Sequence, residues 1–150
     1  LELYGEVSIS QFNCLACRLS MYVMSILLCQ KHDIDLVLDG ARKSQLFAIE
    51  QELLLEQFIS FFNEYSISIE FPLKDLKDDY ELKNQLLIRG IVPKTLEPMC
   101  LLGMPLTSSQ IDNEMVKSVS LVFNNLLKEK SKILIERYQE IETLGGSLDG

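Results

Sequence analysis

Residues 34–40, IDLVLDG, decide the fold, because a short run rich in β-branched and other apolar residues is ended there by an Asp-Gly pair. A run of this length closed by turn residues predicts a buried strand over residues 34–38. Residues 67–71, ISIEF, alternate apolar and polar side chains and are followed by Pro72. This second run predicts another strand, since proline cannot extend the hydrogen-bond ladder.

The segments around these two runs have helical periodicity. Apolar side chains spaced three and four apart predict one helix over residues 10–32 and a second over residues 44–65. Residues 78–89 predict a third helix that ends at Gly90, and residues 108–142 a fourth, capped near Ser108 and Ser109, with a solvated second half. The expected buried positions are Leu15, Leu19, Tyr22, Val23, Ile26 and Leu27 in the first helix and Phe47, Leu54, Phe58 and Phe61 in the second.

Alternation of helices and strands predicts parallel strands joined by a right-handed crossover. The expected fold class is therefore α/β, a Rossmann-like layered parallel sheet with flanking helices. Residues 1–150 are interpreted as a single domain or as a fragment, the C-terminal part of a larger domain, with a flexible tail over residues 143–150. Two strands are few for 150 residues, so we expect further strands in another portion of the protein or in a partner.

Composition and charge exclude several classes of protein. The chain is 47% hydrophobic and 24% charged, as globular domains are. A net charge of -8 repels phosphate backbones, so nucleic-acid binding through this chain alone is disfavoured. Residues 14–29 contain Arg18 and are shorter than the ~20 residues of a membrane span, and residues 1–6 lack the basic start of a signal peptide. We expect a cytoplasmic protein without membrane contact, either a homo-oligomer or bound to a partner domain.

Three of the four cysteines are candidate metal ligands. In a chain without an export signal, cysteines indicate reduced thiols. Cys14 and Cys17 lie three residues apart on a helix, so both sulfurs project to one side, and a position near the helix amino terminus favours thiolates. Cys100, in a remote loop, supplies a third thiolate. Three thiolates suit an iron–sulfur cluster with one open iron, or zinc with a water ligand. The alternative is that these cysteines are simply buried.

Cys29 and His32 are not expected to take part in the site. Cys29 lies twelve residues beyond Cys17 on the same helix, ~18 Å away at 1.5 Å per residue, and is predicted to be core. His32 is the only histidine, and its place at a helix end favours a surface or capping role. Nucleophilic hydrolase mechanisms that need a histidine base are therefore disfavoured.

Residues 39–45, DGARKSQ, form the second candidate site. They follow a strand and precede a predicted helix, the place where open α/β sheets bind anions. Gly40 allows close backbone approach, Arg42 and Lys43 supply positive charge, and Ser44 caps the helix or binds a phosphate oxygen. These residues predict a nucleotide or phosphate site, and the alternative is an ordinary solvent-exposed turn.

The order of these motifs resembles that of the PP-loop ATP pyrophosphatases, which are adenine nucleotide alpha-hydrolase-like, and in particular their sulfur-transferring, tRNA 2-thiolation-like group. The similar elements are Cys14-x-x-Cys17, the strand that leads to Gly40, the sequence Phe71-Pro72-Leu73, and Cys100, over residues 12–103. The family's Ser-Gly-Gly-x-Asp-Ser loop does not precede Cys14, and the loop after the first strand differs from the family's usual forms.

The resemblance implies the C-terminal half of an enzyme that uses ATP and Mg²⁺. Such an enzyme adenylates its substrate, releases pyrophosphate and delivers sulfur to an acceptor through a three-cysteine metal or iron–sulfur site. No catalytic residue is assigned, and the sulfur acceptor is unknown. Two other classes stay open. One is a non-catalytic α/β partner domain with structural zinc or no metal, and the other is a helical interaction domain in which Cys14 and Cys17 are core.

Overall fold

The computed structural model describes residues 7–45, 47–77, 80–92 and 112–145. Its helices and strands, in chain order, are α1 (Ile9–Lys31), β1 (Leu36–Leu38), α2 (Glu52–Asn63), β2 (Ser68–Glu70), α3 (Tyr80–Ile88), α4 (Asn113–Val122) and α5 (Lys128–Gly145). Two 3-10 turns, Lys43–Gln45 and Ala48–Glu50, precede α2, and a π-helical turn, Phe123–Leu127, joins α4 to α5. The architecture is mixed α/β and mostly helical.

The two strands pair in parallel, with Val37 opposite Ile69, and α2 forms the connection between them. This confirms the predicted parallel pairing. Within the described residues the sheet has these two strands. The prediction that β1 is a buried strand was wrong, because Leu36 is 44% and Leu38 62% exposed. Only the face that carries Val37 packs against the core, and no described element covers the other face.

Buried aromatic rings hold the helices around the sheet. The Tyr22 ring of α1 lies 5.1 Å from those of Phe58 and Phe62 in α2, and Phe58 lies 5.4 Å from Phe123, all edge to face. Such pairs contribute about 0.5–1.5 kcal/mol each beyond the burial of their area. The predicted apolar face of α1 is buried throughout, as are the predicted positions of α2, while Phe47, which precedes α2, is partly buried.

Two helices, α1 and α4, begin next to a capping side chain. At α1 the Ser8 hydroxyl accepts from the Gln11 N–H at 3.3 Å, and the Gln11 side chain accepts from the Ser8 N–H at 3.2 Å, a capping box. The Asp112 carboxylate accepts from the Met115 N–H at 2.7 Å, so α4 begins at Asn113. The predicted caps Ser108 and Ser109 lie outside the described residues.

Two other helix boundaries differ from the prediction. The second helix begins at Glu52, eight residues later than predicted, because residues 43–45 and 48–50 form 3-10 turns instead. The last helix extends to Gly145, three residues into the segment expected to be a flexible tail.

Three helices end with the same hydrogen-bonded turn. After each of α1, α2 and α3 one residue has a left-handed backbone, and the next N–H donates to a carbonyl five residues earlier, as in a Schellman motif. The left-handed residues are Asp33 (φ 51°), Ser66 (φ 59°) and Gly90 (φ 75°), and the closing bonds are Ile34–Cys29 at 2.8 Å, Ile67–Phe62 at 3.3 Å and Ile91–Leu86 at 2.9 Å. The prediction of a terminal glycine at position 90 is confirmed. The first two turns direct the chain into β1 and β2.

Helix α1 has 23 residues and is the one helix in the described part of the chain that is long and apolar enough to cross a membrane by length and composition. The sequence argument that this segment is too short to span a membrane therefore fails. Seven of its residues are buried within the protein, while Met21, Met24 and Leu28 are more than half exposed.

We predict that Ser66→Gly raises the free energy of unfolding by about 1 kcal/mol, because a left-handed conformation strains any residue with a Cβ. In a domain of this size that raises Tm by about 2–4 °C. The matched control is Ser68→Gly, in β2, which should lower stability by about 0.5–1 kcal/mol because glycine weakens a strand. Thermal unfolding followed by circular dichroism measures both, and equal signs would contradict the assignment of the turn.

Candidate functional site

A buried group of charges joins α1 to the end of β1 and to the turn before α2. Arg18 Nη1 donates to Asp39 Oδ1 at 3.2 Å and to Oδ2 at 2.9 Å, while Nη2 donates to Glu50 Oε1 at 3.3 Å. The Tyr22 hydroxyl donates to Asp39 Oδ2 at 3.0 Å. These side chains are mostly buried. The guanidinium is thus the shared partner of two buried carboxylates, whose burial as ions is costly without such pairing.

Asp39 also shapes the turn that follows β1. Its Oδ1 accepts from the Ala41 N–H at 2.7 Å, which is the bond of an Asx turn. Its own N–H donates to the Glu70 carbonyl at 2.9 Å, which extends the parallel ladder by one residue. Both carboxylate oxygens and the backbone of Asp39 are therefore engaged, and the turn is held against α1 and β2.

Electrostatics differ between the members of the cluster. Burial raises the pKa of Glu50. The Arg18 guanidinium, which is further from Glu50 than from Asp39, and the hydrogen bond from the Arg42 backbone N–H offset only part of that effect. Burial, followed by the neighbouring Asp39 carboxylate, raises the pKa of Tyr22, so the phenol stays protonated and remains a donor. The cluster thus consists of donors and acceptors already matched to one another, which suits a structural role.

The loops that follow β1 and β2 lie side by side. The Lys43 N–H donates to the Lys74 carbonyl at 3.0 Å, and the Ser44 hydroxyl donates to the Leu76 carbonyl at 2.8 Å. Together they line a depression of about 270 Å³ formed by Lys43, Ser44, Lys74, Asp75, Leu76 and Lys77. Both loops lie at the carboxyl edge of the sheet, where open α/β sheets bind ligands.

Acidic side chains position two of the three lysines. Lys43 Nζ bonds Glu52 at 3.0 Å and also contacts Asp75, and Lys74 Nζ bonds the other oxygen of Glu52 at 2.8 Å. Hydrogen bonds from Lys74 and then Lys43 lower the pKa of Glu52, and those to Asp75 and Glu52 raise the pKa of Lys43. Lys77 has no ion-pair partner among the described residues.

The four predicted phosphate-binding residues have different surroundings. Lys43 and Ser44 line the depression, whereas Arg42 does not, and its backbone N–H bonds Glu50 instead. A Cβ added to Gly40 would meet nothing within 4 Å, so the protein itself does not require glycine there. Of the two roles predicted for Ser44, capping a helix was wrong, because residues 43–45 form a single 3-10 turn and the Ser44 hydroxyl bonds the loop after β2. Binding of a phosphate oxygen stays a prediction.

The predicted cysteine site is described only in part. Cys14 is half-buried and Cys17 exposed, one turn apart on α1, while Cys100 lies outside the described residues. Both cysteines lie beyond the first turn of α1, which begins at Ile9. The prediction that the helix dipole favours their thiolates was therefore wrong, because the effect of the dipole falls off within one turn. Within residues 7–45, 47–77, 80–92 and 112–145 no three His, Cys, Asp or Glu side chains converge as a metal site.

Cys29 and His32 are placed as the sequence predicts. Cys29 is buried in the core, and burial raises the pKa of its thiol. His32 is exposed at the end of α1, where its N–H donates to the Leu28 carbonyl at 3.1 Å. Neither residue belongs to the candidate sites.

The sequence analysis missed the buried charge cluster and the two lysines of the second loop. A signal for the first was present, since Arg18 is the one charged residue between Ile9 and Gln30. A single charge beside the apolar face of a helix requires a counter-charge, and Asp39 at the end of the next strand was available. Lys74 and Lys77 had no comparable local signal.

No protein-family model, no curated protein and no solved structure matches this chain.

We predict that Arg18→Met lowers the free energy of unfolding by about 3–5 kcal/mol, because it removes the guanidinium that pairs with the buried Asp39 and Glu50 carboxylates. The matched control is Arg137→Met on the exposed surface of α5, which should change stability by no more than about 0.5 kcal/mol. Urea unfolding followed by circular dichroism measures both. A loss at Arg18 no larger than the loss at Arg137 would show that the cluster does not stabilise the fold.

Proposed function

We propose that this chain is the C-terminal half of an ATP-pyrophosphatase-like enzyme that binds nucleotide phosphates at the carboxyl edge of its sheet and transfers sulfur in the cytoplasm. The observation that carries the proposal is the pairing of the two strand-end loops around Lys43, Ser44, Lys74 and Lys77. Parallel strands joined through α2 and the resemblance of the motif order to the PP-loop family support the same reading.

The lysine groups suit an anionic ligand. A phosphate oxygen in the depression can accept charge-assisted hydrogen bonds from Lys43 and from Lys77. The Ser44 hydroxyl donates to the Leu76 carbonyl and would have to exchange that bond for one to the phosphate. The ligand must compete with Asp75 for Lys43. Glu52 keeps Lys43 and Lys74 in place before the ligand arrives. The role of these residues is to bind and orient the phosphates of ATP or pyrophosphate.

Cys14 and Cys17 are the described part of the proposed sulfur site. Their spacing on α1 places both thiols on one face, and Cys17 is exposed, which fits two thiolate ligands of an iron–sulfur cluster or zinc. Cys100 is the proposed third ligand. A cluster with an open iron would supply a position that binds sulfur, and a thiolate-bound zinc would supply a Lewis acid. Adenylation of the substrate with release of pyrophosphate would precede transfer of the sulfur to the acceptor.

The exposed face of β1 supports a Rossmann-like layered sheet as the fold of the complete enzyme. Leu36 and Leu38 present two large apolar side chains away from the core, whereas layered α/β sheets are covered on both faces. We propose that a further helical layer or a partner domain covers this face in the complete enzyme, as in a Rossmann-like layered sheet. The same exposed face also favours the second candidate, a non-catalytic partner domain.

We predict that the chain binds ATP and pyrophosphate, and that Lys43→Ala combined with Lys77→Ala weakens this binding at least about tenfold, the loss expected for one charge-assisted bond. Isothermal titration calorimetry at low ionic strength measures it. The control with equal loss of charge is Lys117→Ala combined with Lys130→Ala on α4 and α5.

Gly40→Ala tests backbone approach separately. A methyl group there meets no protein atom within 4 Å, so the fold should be unchanged, while binding should weaken if phosphate contacts the Gly40 backbone. An unmodified chain that binds neither ligand, or a control pair that weakens binding as strongly as the Lys43 and Lys77 pair, would contradict the phosphate assignment.

We predict that Cys14→Ser and Cys17→Ser each abolish iron or zinc loading of anaerobically purified protein, because each removes a thiolate ligand. Cys100→Ser should do the same, whereas Cys29→Ser should keep the metal and lower Tm, since it buries a hydroxyl group. Elemental analysis and the visible absorbance of an iron–sulfur cluster are the measurements. Metal content unchanged by Cys14→Ser would favour the partner-domain alternative.

A further inference from the structure

Helix α1 has a second apolar stripe on the side away from the core. Cys14, Cys17, Met21, Met24 and Leu28 follow one another at spacings of three, four, three and four residues. Met21, Met24 and Leu28 are each more than half exposed. A narrow stripe with this spacing is typical of a helix that packs against another helix.

Helix α5 has a matching stripe. Leu134, Tyr138 and Ile141 are spaced four and three residues apart and are 58%, 42% and 67% exposed. Charged residues, among them Lys130 and Arg137, lie beside this stripe. These three side chains do not pack α5 on the core. The α5 residue that belongs to the core is Ile135.

The two helices lie side by side and run in the same direction. Near their carboxyl ends, Gln139 Nε2 donates to Gln30 Oε1 at 2.8 Å, and Lys31 Nζ donates to Glu142 Oε1 at 3.0 Å. The preceding α4 and the π-helical turn also pack on α1. The end of α1 already contacts α5, so α4 and the π-helical turn, which come before α5 in the chain, contact earlier residues of α1. Contacts therefore follow the same order along both segments, as they do in parallel helices.

The two stripes therefore face the same side of the molecule. At about 100° per residue, the stripe of α1 lies about a quarter turn past the side on which Gln30 and Lys31 bond α5, in the direction of increasing residue number. The stripe of α5 lies about a quarter turn in the opposite direction from the side on which Gln139 and Glu142 bond α1. For two parallel neighbouring helices, each rotation starts at the side where the helices touch. A quarter turn in opposite directions about the two helix axes then leads to the same side of the pair. We call Met21, Met24, Leu28, Leu134, Tyr138 and Ile141 the α1/α5 face.

The size of the α1/α5 face fits a stable dimer. Six half-exposed large side chains expose on the order of 100 Å² each, which reaches the upper end of the ~300–600 Å² seen for the largest apolar patch of a monomer. With its polar rim, the face approaches the ~800 Å² that each partner buries in a standard interface.

Charge also favours a second copy as the occupant. The chain has a net charge of -8, but α1 contains no Asp or Glu, so two α1 helices can approach without repulsion between carboxylates. A membrane surface fits less well, because interfacial helices carry many basic residues on their polar face. On α1 the basic residues are Arg18, which is paired inside the protein, and Lys31, which is paired with Glu142.

We propose that the α1/α5 face binds the same face of a second copy of this chain, so that α1 and α5 of each copy form a four-helix bundle. Stripes with three- and four-residue spacing interdigitate when helices cross at about 20°. Every contact of this symmetric interface is made twice. The interface is independent of the proposed nucleotide site, which lies at the carboxyl edge of the sheet.

The test is the mass of the full chain in solution, under reducing conditions that exclude disulfide cross-links. Sedimentation equilibrium at roughly 1–100 µM protein should give twice the chain mass of 17.2 kDa. Met24→Glu combined with Leu28→Glu should give the monomer mass, and so should Leu134→Glu combined with Ile141→Glu. Both pairs replace exposed side chains, and circular dichroism checks that helicity is kept.

The matched control is Leu53→Glu combined with Ile59→Glu, which adds two charges at exposed apolar positions of α2 and should leave the dimer intact. A wild-type chain that is monomeric at the highest concentration would overturn the proposal. A dimer that survives both α1/α5 variants would also overturn it, as would a monomer that floats with anionic lipid vesicles through the same residues.

Discussion

The pairing of Arg18 with Asp39 and Glu50 is the constraint on which the rest of the structure depends. It joins the middle of α1, the end of β1 and the turn before α2 in one buried contact. Because ions lose their hydration on burial, the three groups stabilise the protein only in this mutual arrangement. The position of the loop after β1 follows, since Asp39 holds both the guanidinium and the Ala41 N–H.

Much of the fold could be predicted because it depends on local chemistry. The extent and the buried face of α1 follow from its periodicity, and the parallel pairing follows from the order of elements. The start of α2 could not be predicted, since Glu50 is drawn to Arg18 thirty-two residues earlier and the chain between them forms 3-10 turns. The exposure of β1 could not be predicted either, because the covering of a strand depends on which elements pack over it.

Only part of the candidate site could be predicted from the sequence. Lys43 was identified because it follows a strand, but Lys74 and Lys77 enter the same depression only through the register of the sheet. With Leu38 opposite Glu70, the two loops leave the sheet at the same level and bond to each other. A basic depression on an acidic chain is therefore a product of strand pairing, and net charge alone could not reveal it.

The stripe that contains Cys14 and Cys17 continues into Met24 and Leu28, so the proposed metal site and the proposed dimer face share one side of α1. They adjoin along its axis, since Cys17 lies four residues from Met21, or ~6 Å at 1.5 Å per residue, but their centres are further apart. Cys14 lies ten residues from Met24 and fourteen from Leu28, or ~15 and ~21 Å at 1.5 Å per residue. A second copy centred on Met24 and on the neighbouring part of α5 would thus leave the Cys14 end of the helix accessible. Arg18 lies between the two regions but turns toward the core, so it presents no charge to either partner.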